Sequence, residues 1–153
     1  MRLLFGLISM LALSACSTAR VVDDLNFAIA DIQKAVGETL PGGIVGMSSN
    51  HRELTSAVFA VRRPSGNLAP FNSLVFAKDK PEFRYKAKVL ILGDRRPYTV
   101  EVGVEQERLD VKTGTYSPAG DSAAMSDRLA YEIRKYLVQR SEKKNVIDDF
   151  RAF

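Results

Sequence analysis

Few residues in this sequence could perform catalysis, and those few have simpler structural interpretations. His51 is the only histidine in the chain, so it is the only imidazole available as a general base. Ser48 and Ser49 precede it in a stretch rich in glycine and serine, where a hydroxyl could serve as a nucleophile. No G-x-S-x-G elbow occurs, however, and a hydrolytic triad also needs a third group that orients the base. We therefore predict that His51 is an exposed loop residue and that the protein is not an enzyme.

Carboxylates and glycines give no stronger sign of a catalytic or metal site. Adjacent residues on a helix point about 100° apart, so the pairs Asp23-Asp24 and Asp148-Asp149 do not converge simply on one site. Residues 41–46 are glycine-rich but lack the Gly-Lys-Ser/Thr ending of a phosphate-binding loop. One histidine and one cysteine are too few for a structural zinc site, and the sequence lacks the spaced aspartates of a calcium loop. We predict no catalytic residue, no metal ion and no cofactor.

The residue with the clearest chemical role is the only cysteine, which follows an apolar N-terminal run. Arg2 is the only charged residue before Arg20, and residues 3–13 are almost entirely apolar. A membrane-spanning helix needs about 20 apolar residues, so this run is too short to span a bilayer. A short basic segment before roughly 7–15 apolar residues is instead typical of a secretory signal peptide. The run ends in the sequence Leu13-Ser14-Ala15-Cys16.

This ending resembles the lipobox of bacterial lipoproteins. In that family the cysteine sulfur receives a diacylglyceryl group, signal peptidase II cleaves just before the cysteine, and the new amine is usually acylated. The resemblance implies that Leu13, Ser14 and Ala15 are recognised by the peptidase and that Cys16 becomes the lipidated N-terminus of the mature chain. The alternative is a free cysteine in a buried N-terminal helix. The absence of a second cysteine favours the lipoprotein, because a chain exported to an oxidising compartment then has no spare thiol to mispair.

The residue after Cys16 indicates the membrane in which the lipoprotein is held. In the enterobacterial sorting rule, an aspartate at this position retains a lipoprotein in the inner membrane, whereas this sequence has Ser17. The resemblance therefore implies the periplasmic face of the outer membrane, and the inner membrane is the alternative because the rule varies between bacteria. After a signal peptide of residues 1–15, we expect a lipidated tether over residues 16–21, a periplasmic domain over 22–140 and a charged amphipathic tail over 141–153.

Composition excludes several broad classes of protein. The chain has 153 residues, of which 46% are hydrophobic, so one ordered domain is expected instead of a disordered chain. A single cysteine cannot form an internal disulfide. Cleavage after residue 15 removes one of the 22 Lys and Arg residues and none of the 18 Asp and Glu residues, so the formal net charge falls from +4 to +3. This mild excess does not indicate a nucleic-acid partner.

Apolar residues spaced by three and four predict two amphipathic helices in the domain. The first helix covers residues 22–36, and the second is capped by Asp121 or Ser122 and extends to about Arg140. The apolar face of the first helix consists of Val22, Leu25, Ile29, Ile32 and Val36. The apolar stripe of the second helix consists of Met125, Leu129, Ile133, Tyr136 and Leu137.

Period-two alternation predicts a hairpin of two strands over residues 83–92 and 98–105. We expect these cross-strand pairs: Leu92 with Pro97, Lys88 with Glu101, and Arg84 with Glu105. The basic row is therefore interpreted as paired with the acidic row and not as a ligand-binding patch. Residues 54–61 and 71–77 are further strand candidates, and residues 113–120 are predicted to form a loop.

These elements predict an α+β domain with an antiparallel three- to four-stranded sheet packed by two amphipathic helices. This layout is similar to that of the lipopolysaccharide-assembly lipoproteins that plug an outer-membrane barrel. The segment over residues 64–81 is the best candidate for partner binding, through Phe71, Leu74 and Phe76, and the alternative is that residues 71–77 are simply a core strand. We predict a non-catalytic accessory or assembly subunit of an envelope complex. The alternative is a periplasmic carrier that binds a lipid or other hydrophobic ligand between the sheet and the helices.

Overall fold

The chain forms an α+β domain in which two helices cover one face of an antiparallel sheet. The computed structural model describes residues 19–61 and 80–150. Within these residues there are six strands and two helices. In chain order they are β1 (Arg20–Leu25), α1 (Ile29–Thr39), β2 (Ile44–Met47), β3 (Glu53–Ser56), β4 (Phe83–Leu92), β5 (Tyr98–Asp110), β6 (Thr115–Asp121) and α2 (Ala123–Phe150). The α+β class is confirmed, but six strands exceed the predicted three to four.

The strand order within the described residues is β1-β5-β4-β3-β2, and β6 also pairs with β5. The 13 residues of β5 are long enough for two partners on the same side. β1 pairs with the first half of β5 as far as Val102, and β6 pairs with the second half from Glu105 onward. One edge of the sheet is therefore formed by β1 and β6, and the opposite edge is formed by β2.

β4 and β5 form the predicted hairpin, but the predicted register is wrong by two residues. Leu92 lies opposite Thr99 instead of Pro97. A shift of two residues leaves every side chain on the same face of the sheet, so the period-two pattern is equally compatible with both registers. The inward-facing residues stay in the core, as shown by Val89, which lies opposite Val102.

The charge pairs predicted for this hairpin are also corrected. Glu101 and Glu105 are not the carboxylates that pair with Lys88 and Arg84, because the register places them opposite Leu90 and Lys86. The observed ion pairs are Arg84 with Glu107 and Lys88 with Glu53 of β3. Both cations nevertheless pair with acidic side chains on the sheet surface, as the sequence predicts, although the partners differ from the predicted ones.

Residues 22–36 do not form a single helix, as predicted, but a strand followed by a helix. β1 contains a bulge between Val22 and Leu25 where it pairs with β5. Because a bulge disturbs the alternation of a strand, both side chains are buried although they are three residues apart. This spacing is also typical of a helix, which explains the error. Asp23 and Asp24 consequently lie in β1 and not in a first helical turn.

Two strands occupy segments that the sequence assigns to loops, and a third is shorter than predicted. β2 lies within the glycine- and serine-rich stretch, and β6 contains both Pro118 and Gly120. Proline is tolerated in β6 because the strand lies at an edge, where one side of its backbone needs no strand partner. β3 ends at Ser56, after which Phe59 forms an isolated bridge with Tyr85. The predicted strand over residues 71–77 lies outside the described residues.

α2 confirms the predicted apolar stripe but not the predicted end of the helix. It begins at Ala123, directly after Ser122, and continues past Arg140 to Phe150. Residues 141–150 therefore extend the same helix. The buried apolar residues of its inner face are Met125, Leu129, Ala130, Ile133 and Leu137.

The core lies between the inner face of the sheet and the two helices. Side chains from α1, α2 and four strands meet there in one cluster. The largest fully buried members are Ile32, Leu54, Ile91, Leu129, Ile133 and Leu137. These branched side chains fill the space between the two layers.

Two buried serines complete the backbone hydrogen bonding of the sheet where neighbouring strands stop. Ala87 of β4 and Val104 of β5 lie directly opposite each other. The Ala87 N–H donates to Oγ of Ser56 at 2.9 Å, and the Val104 N–H donates to Oγ of Ser126 in α2 at 3.1 Å. The Ser126 hydroxyl in turn donates to the Ser122 carbonyl at 3.1 Å. Ser126 thus joins α2 to the gap between β1 and β6.

Candidate functional site

The residues that the sequence singles out as functional fall into two groups in the structure. The lipobox residues Leu13, Ser14, Ala15 and Cys16 lie outside the described residues, and so do the partner-binding candidates Phe71, Leu74 and Phe76. Lipidation at Cys16 and partner binding through the second set therefore stay predictions. The structure does place His51 and the charged rows of the sheet.

His51 lies in the exposed turn between β2 and β3, with a left-handed φ of 58°. Its hydrogen bonds hold the turn through the backbone, because its N–H donates to the Ser48 carbonyl at 2.9 Å and its carbonyl accepts from Nε2 of Gln33 at 2.8 Å. The Ser48 hydroxyl donates to Oδ1 of Asn50 at 2.7 Å. These contacts are those of a structural turn and not of a nucleophile beside a base. Among the described residues, no three His, Cys, Asp or Glu side chains are close enough to hold a metal ion.

The outer face of the sheet is the side opposite the two helices. Two ion pairs lie on this face. Nζ of Lys88 lies 2.8 Å from Oε1 of Glu53, and Arg84 pairs with Glu107. The Arg84 guanidinium also lies over the ring of Tyr116, 4.0 Å from the ring centroid. Because Arg84 and Lys88 already have acidic or aromatic partners, these two cations do not form an anion-binding site.

A shallow depression of about 270 Å³ lies near the end of β4. Its wall includes Arg52, whose guanidinium donates to the Gly93 carbonyl and lies 6.0 Å from the ring centroid of Tyr98. The depression is open to solvent and mixes polar with apolar side chains. The arginine that could attract an anionic ligand is engaged with the backbone of the β4–β5 loop, so the depression offers no built ligand site.

Within the described residues, the edge formed by β2 presents an apolar strand whose outer backbone groups have no strand partner. The Ser48 N–H donates to the Glu53 carbonyl at 2.9 Å, so alternation of the antiparallel ladder directs the N–H and C=O of Met47 away from β3. Val45 is 65% exposed and Met47 is about half exposed. No charged residue occurs over residues 41–50. Charged side chains or prolines commonly block edge strands, and β2 itself carries neither.

A groove of about 430 Å³ lies between β1 and α2, at the opposite side of the sheet. Arg20 holds the two elements together through Asp127, with Nε 2.5 Å from Oδ1 and Nη2 3.2 Å from Oδ2. The groove is lined by Val21, Asp23, Leu25, Phe27, Arg134 and Val138. It combines four apolar side chains with one acidic and one basic side chain.

The last residue of β5, Asp110, has a carboxylate with a perturbed pKa at the turn to β6. The backbone N–H of Lys112 donates to Oδ1 of Asp110 at 2.8 Å. This hydrogen bond, followed by one from the Thr113 side chain, lowers the pKa of Asp110 because both stabilise the charged form. The group is fully exposed at a hairpin turn, so its role is to fix the turn.

Comparisons of the chain with protein-family models, with curated proteins and with solved structures found no match. Neither helix in the described part of the chain combines the length and apolar character that crossing a bilayer requires. The lipobox resemblance and the similarity in layout to lipopolysaccharide-assembly lipoproteins therefore stay predictions. Sequence reasoning missed both the β2 edge and the β1–α2 groove, because it assigned β2 to a loop and β1 to a helix.

Proposed function

We propose that this protein is a bacterial lipoprotein, anchored through acylated Cys16 to the periplasmic face of the outer membrane. In this proposal it is a non-catalytic accessory or assembly subunit that docks onto a larger envelope complex. The proposed location rests on the lipobox resemblance. The proposed docking role rests on the surfaces of the domain. Anchoring through two or three acyl chains would hold the domain essentially permanently at the membrane.

The observation that carries the docking role is the apolar, uncharged β2 edge beside a filled core. Unpaired backbone groups of an edge strand can pair with an extended segment of another protein, which adds a strand to the sheet. Met47 offers such groups, and Val45 offers exposed apolar surface next to them. The proposed partner therefore contributes an extended, mainly apolar segment.

The packing of the core gives less support to the alternative, a carrier that holds a hydrophobic ligand between sheet and helices. Such a carrier needs space between the two layers, and ligand sites of this kind have volumes of roughly 300–1,000 Å³. In the described part of the chain, large side chains such as Leu54, Leu129 and Ile133 are fully buried at this interface. A ligand there would have to displace them.

A crosslinked pull-down from membranes tests the docking role. The edge variant combines Val45→Lys with Met47→Lys, because two lysines on an edge strand oppose strand addition. The matched control is Val111→Lys, since Val111 is 87% exposed in the β5–β6 turn and lies away from β2. We expect one and the same envelope protein to be captured by the wild type and by Val111→Lys, and capture to be lost in the edge variant.

Two further measurements make this pull-down decisive. Circular dichroism should show that the edge variant keeps the wild-type thermal unfolding transition, so that lost capture is not lost folding. The Cys16→Ser variant should lose capture because it no longer reaches the membrane. Undiminished capture of the same protein by the folded edge variant contradicts docking through β2.

The sequence-predicted binding residues provide a second, independent test of docking. Replacing Phe71 and Phe76 by serine should abolish partner capture and leave the domain folded, if residues 64–81 present an apolar surface to the partner. Thermal unfolding of the double variant is the control. A large fall in its melting temperature would instead assign residues 71–77 to the core and remove them from the interface.

A further inference from the structure

One surface of the domain starts close to the proposed anchor. It consists of Val21 and Phe27 around β1 and of Tyr131, Arg134 and Val138 on α2, and we call it the β1–α2 surface. Only four peptide units separate Cys16 from Arg20, where β1 begins. At about 3.3–3.6 Å per extended residue, this tether reaches roughly 14 Å at most. A domain held by acyl chains on Cys16 must therefore keep the start of β1 near the bilayer.

The helical part of this surface is a continuous stripe. Residues 127, 131, 134 and 138 recur at steps of three and four, so they lie along one side of α2. The ion pair between Arg20 and Asp127 turns this side toward β1. Tyr131 is 63% exposed and Val138 is 45% exposed, so the stripe presents aromatic and aliphatic surface to its surroundings.

The chemistry of the stripe fits the boundary between lipid headgroups and acyl chains. Tyrosine is enriched at this boundary, because its ring is apolar and its hydroxyl is polar. Arginine can lie along an apolar surface while its guanidinium reaches a phosphate. Among the side chains that the structure describes, no acidic group lies within ion-pair distance of Arg134. Asp23 lines the same groove but accepts a hydrogen bond from the Thr99 hydroxyl and makes no ion pair with Arg134. The Arg134 guanidinium is therefore available to an anionic headgroup.

We propose that the β1–α2 surface lies on the phospholipid headgroups of the bilayer that holds Cys16. The proposal rests on the lipidation proposed above and assigns an orientation to the lipidated domain. A bilayer is a better occupant of this surface than a soluble protein, because the anchor supplies lipid at a high effective concentration and a weak contact then suffices. The β2 edge lies four strand spacings from β1, about 19 Å across the sheet. Docking onto the membrane through β1 and α2 would direct β2 toward the periplasm.

The absence of tryptophan from the chain allows a direct test. Tyr131→Trp places a single indole on the β1–α2 surface, and Val45→Trp places a single indole at the β2 edge, where the native side chain is similarly exposed. Each variant is purified from membranes as the full mature protein, and the mass of its N-terminal peptide shows whether Cys16 is acylated. The variants are reconstituted into vesicles of phosphatidylethanolamine and phosphatidylglycerol, with either normal or brominated acyl chains. Bromine quenches only an indole that reaches the acyl boundary.

We expect brominated lipid to reduce the fluorescence of Tyr131→Trp to about half or less, since interfacial side chains reach roughly 5–10 Å into the boundary region. The fluorescence of Val45→Trp should not change. Val138→Trp provides a second reporter on the same surface and should behave like Tyr131→Trp. In the background of Tyr131→Trp, Arg134→Glu should weaken the quenching, whereas Lys135→Glu, about 100° away around the helix, should weaken it less.

The outcomes separate this inference from the proposed function. If Cys16 is acylated but neither reporter on α2 is quenched, or if the β2 reporter is quenched equally, the orientation is wrong and the lipoprotein proposal stands. A blue-shifted but unquenched signal from Tyr131→Trp would assign the surface to a contact with a second copy of the chain and also overturn the inference. An unmodified Cys16 would refute the anchor, and the orientation would fall with it.

Discussion

The two edges of the sheet differ in the kind of partner that they can contact. The β1 edge follows the tether, is joined to α2 through Arg20 and Asp127, and borders a groove with an arginine in its wall. The β2 edge is four residues long, lies in an uncharged stretch and directs backbone groups of Met47 away from the sheet. Aromatic and basic side chains beside β1 can contact lipid headgroups. The unpaired backbone groups of β2 can instead form hydrogen bonds with a strand of another protein. The same sheet can therefore meet a membrane at one end and a protein at the other.

The largest difference between the two edges should appear in stability. Leu25 of β1 is buried against the core, whereas Val45 of β2 is largely exposed. We expect Leu25→Ala to lower the free energy of unfolding by about 2–5 kcal/mol, because it deletes packed side-chain volume. Val45→Ala should change it by no more than about 0.5 kcal/mol. Urea unfolding measures both values, and equal losses in the two variants would contradict the structural contrast between the edges.

A smaller effect should mark the junction between β1 and β6. Ser126→Ala removes the acceptor of the Val104 N–H, which is otherwise buried in the gap between the two strands. Leaving such a donor unsatisfied costs about 1–3 kcal/mol. Ser117→Ala, on the exposed part of β6, is the matched control and should be nearly neutral. If both variants unfold at the same urea concentration as the wild type, Ser126 does not support the junction.

The smallest expected effect concerns the turn beyond β5, which belongs to neither proposed contact. The pKa of Asp110 is lowered in the folded state, chiefly by the Lys112 N–H. A carboxyl with a depressed folded pKa contributes stability above its unfolded pKa of about 3.9 and loses that contribution as the pH falls through the folded pKa. Asp110→Asn should remove a slight dependence of stability on pH in this acidic range. An NMR titration that places the Asp110 pKa at or above the ordinary value would show that the turn does not hold the carboxylate.

The sequence predicted well those elements whose pattern has one interpretation. The stripe of Met125, Leu129, Ile133 and Leu137 has helical spacing over more than three turns. A strand would also place Asp127 and Lys135 on the same face as these buried side chains, so only a helix separates them. The β4–β5 hairpin has two long alternating runs. Its register was ambiguous because a shift of two residues preserves the alternation, and only the third strand, which supplies Glu53 to Lys88, distinguishes the alternatives.

The elements that escaped prediction are those that depend on distant partners. A bulge gave β1 the spacing of a helix, and this bulge exists only because β1 pairs with β5. β2 and β6 contain glycine or proline and are held as strands by β3 and β5, so their local sequences are typical of loops. The β2 edge and the β1 part of the β1–α2 surface lie on such elements. The lipobox, in contrast, is a local motif that can be recognised without tertiary structure. The sequence alone could therefore predict a cellular location.

The central claim, that a docking domain is held at the membrane by a lipid on Cys16, is tested most directly by the mass of the mature N-terminus. The protein is expressed in a Gram-negative bacterium with signal peptidase II, extracted from the membrane fraction and digested, and its N-terminal peptide is analysed by mass spectrometry. We predict a peptide that begins at Cys16 and carries the mass of a diacylglyceryl group, with or without an additional amide-linked acyl chain. A mature chain that retains residues 1–15, or that contains an unmodified Cys16, would contradict the account.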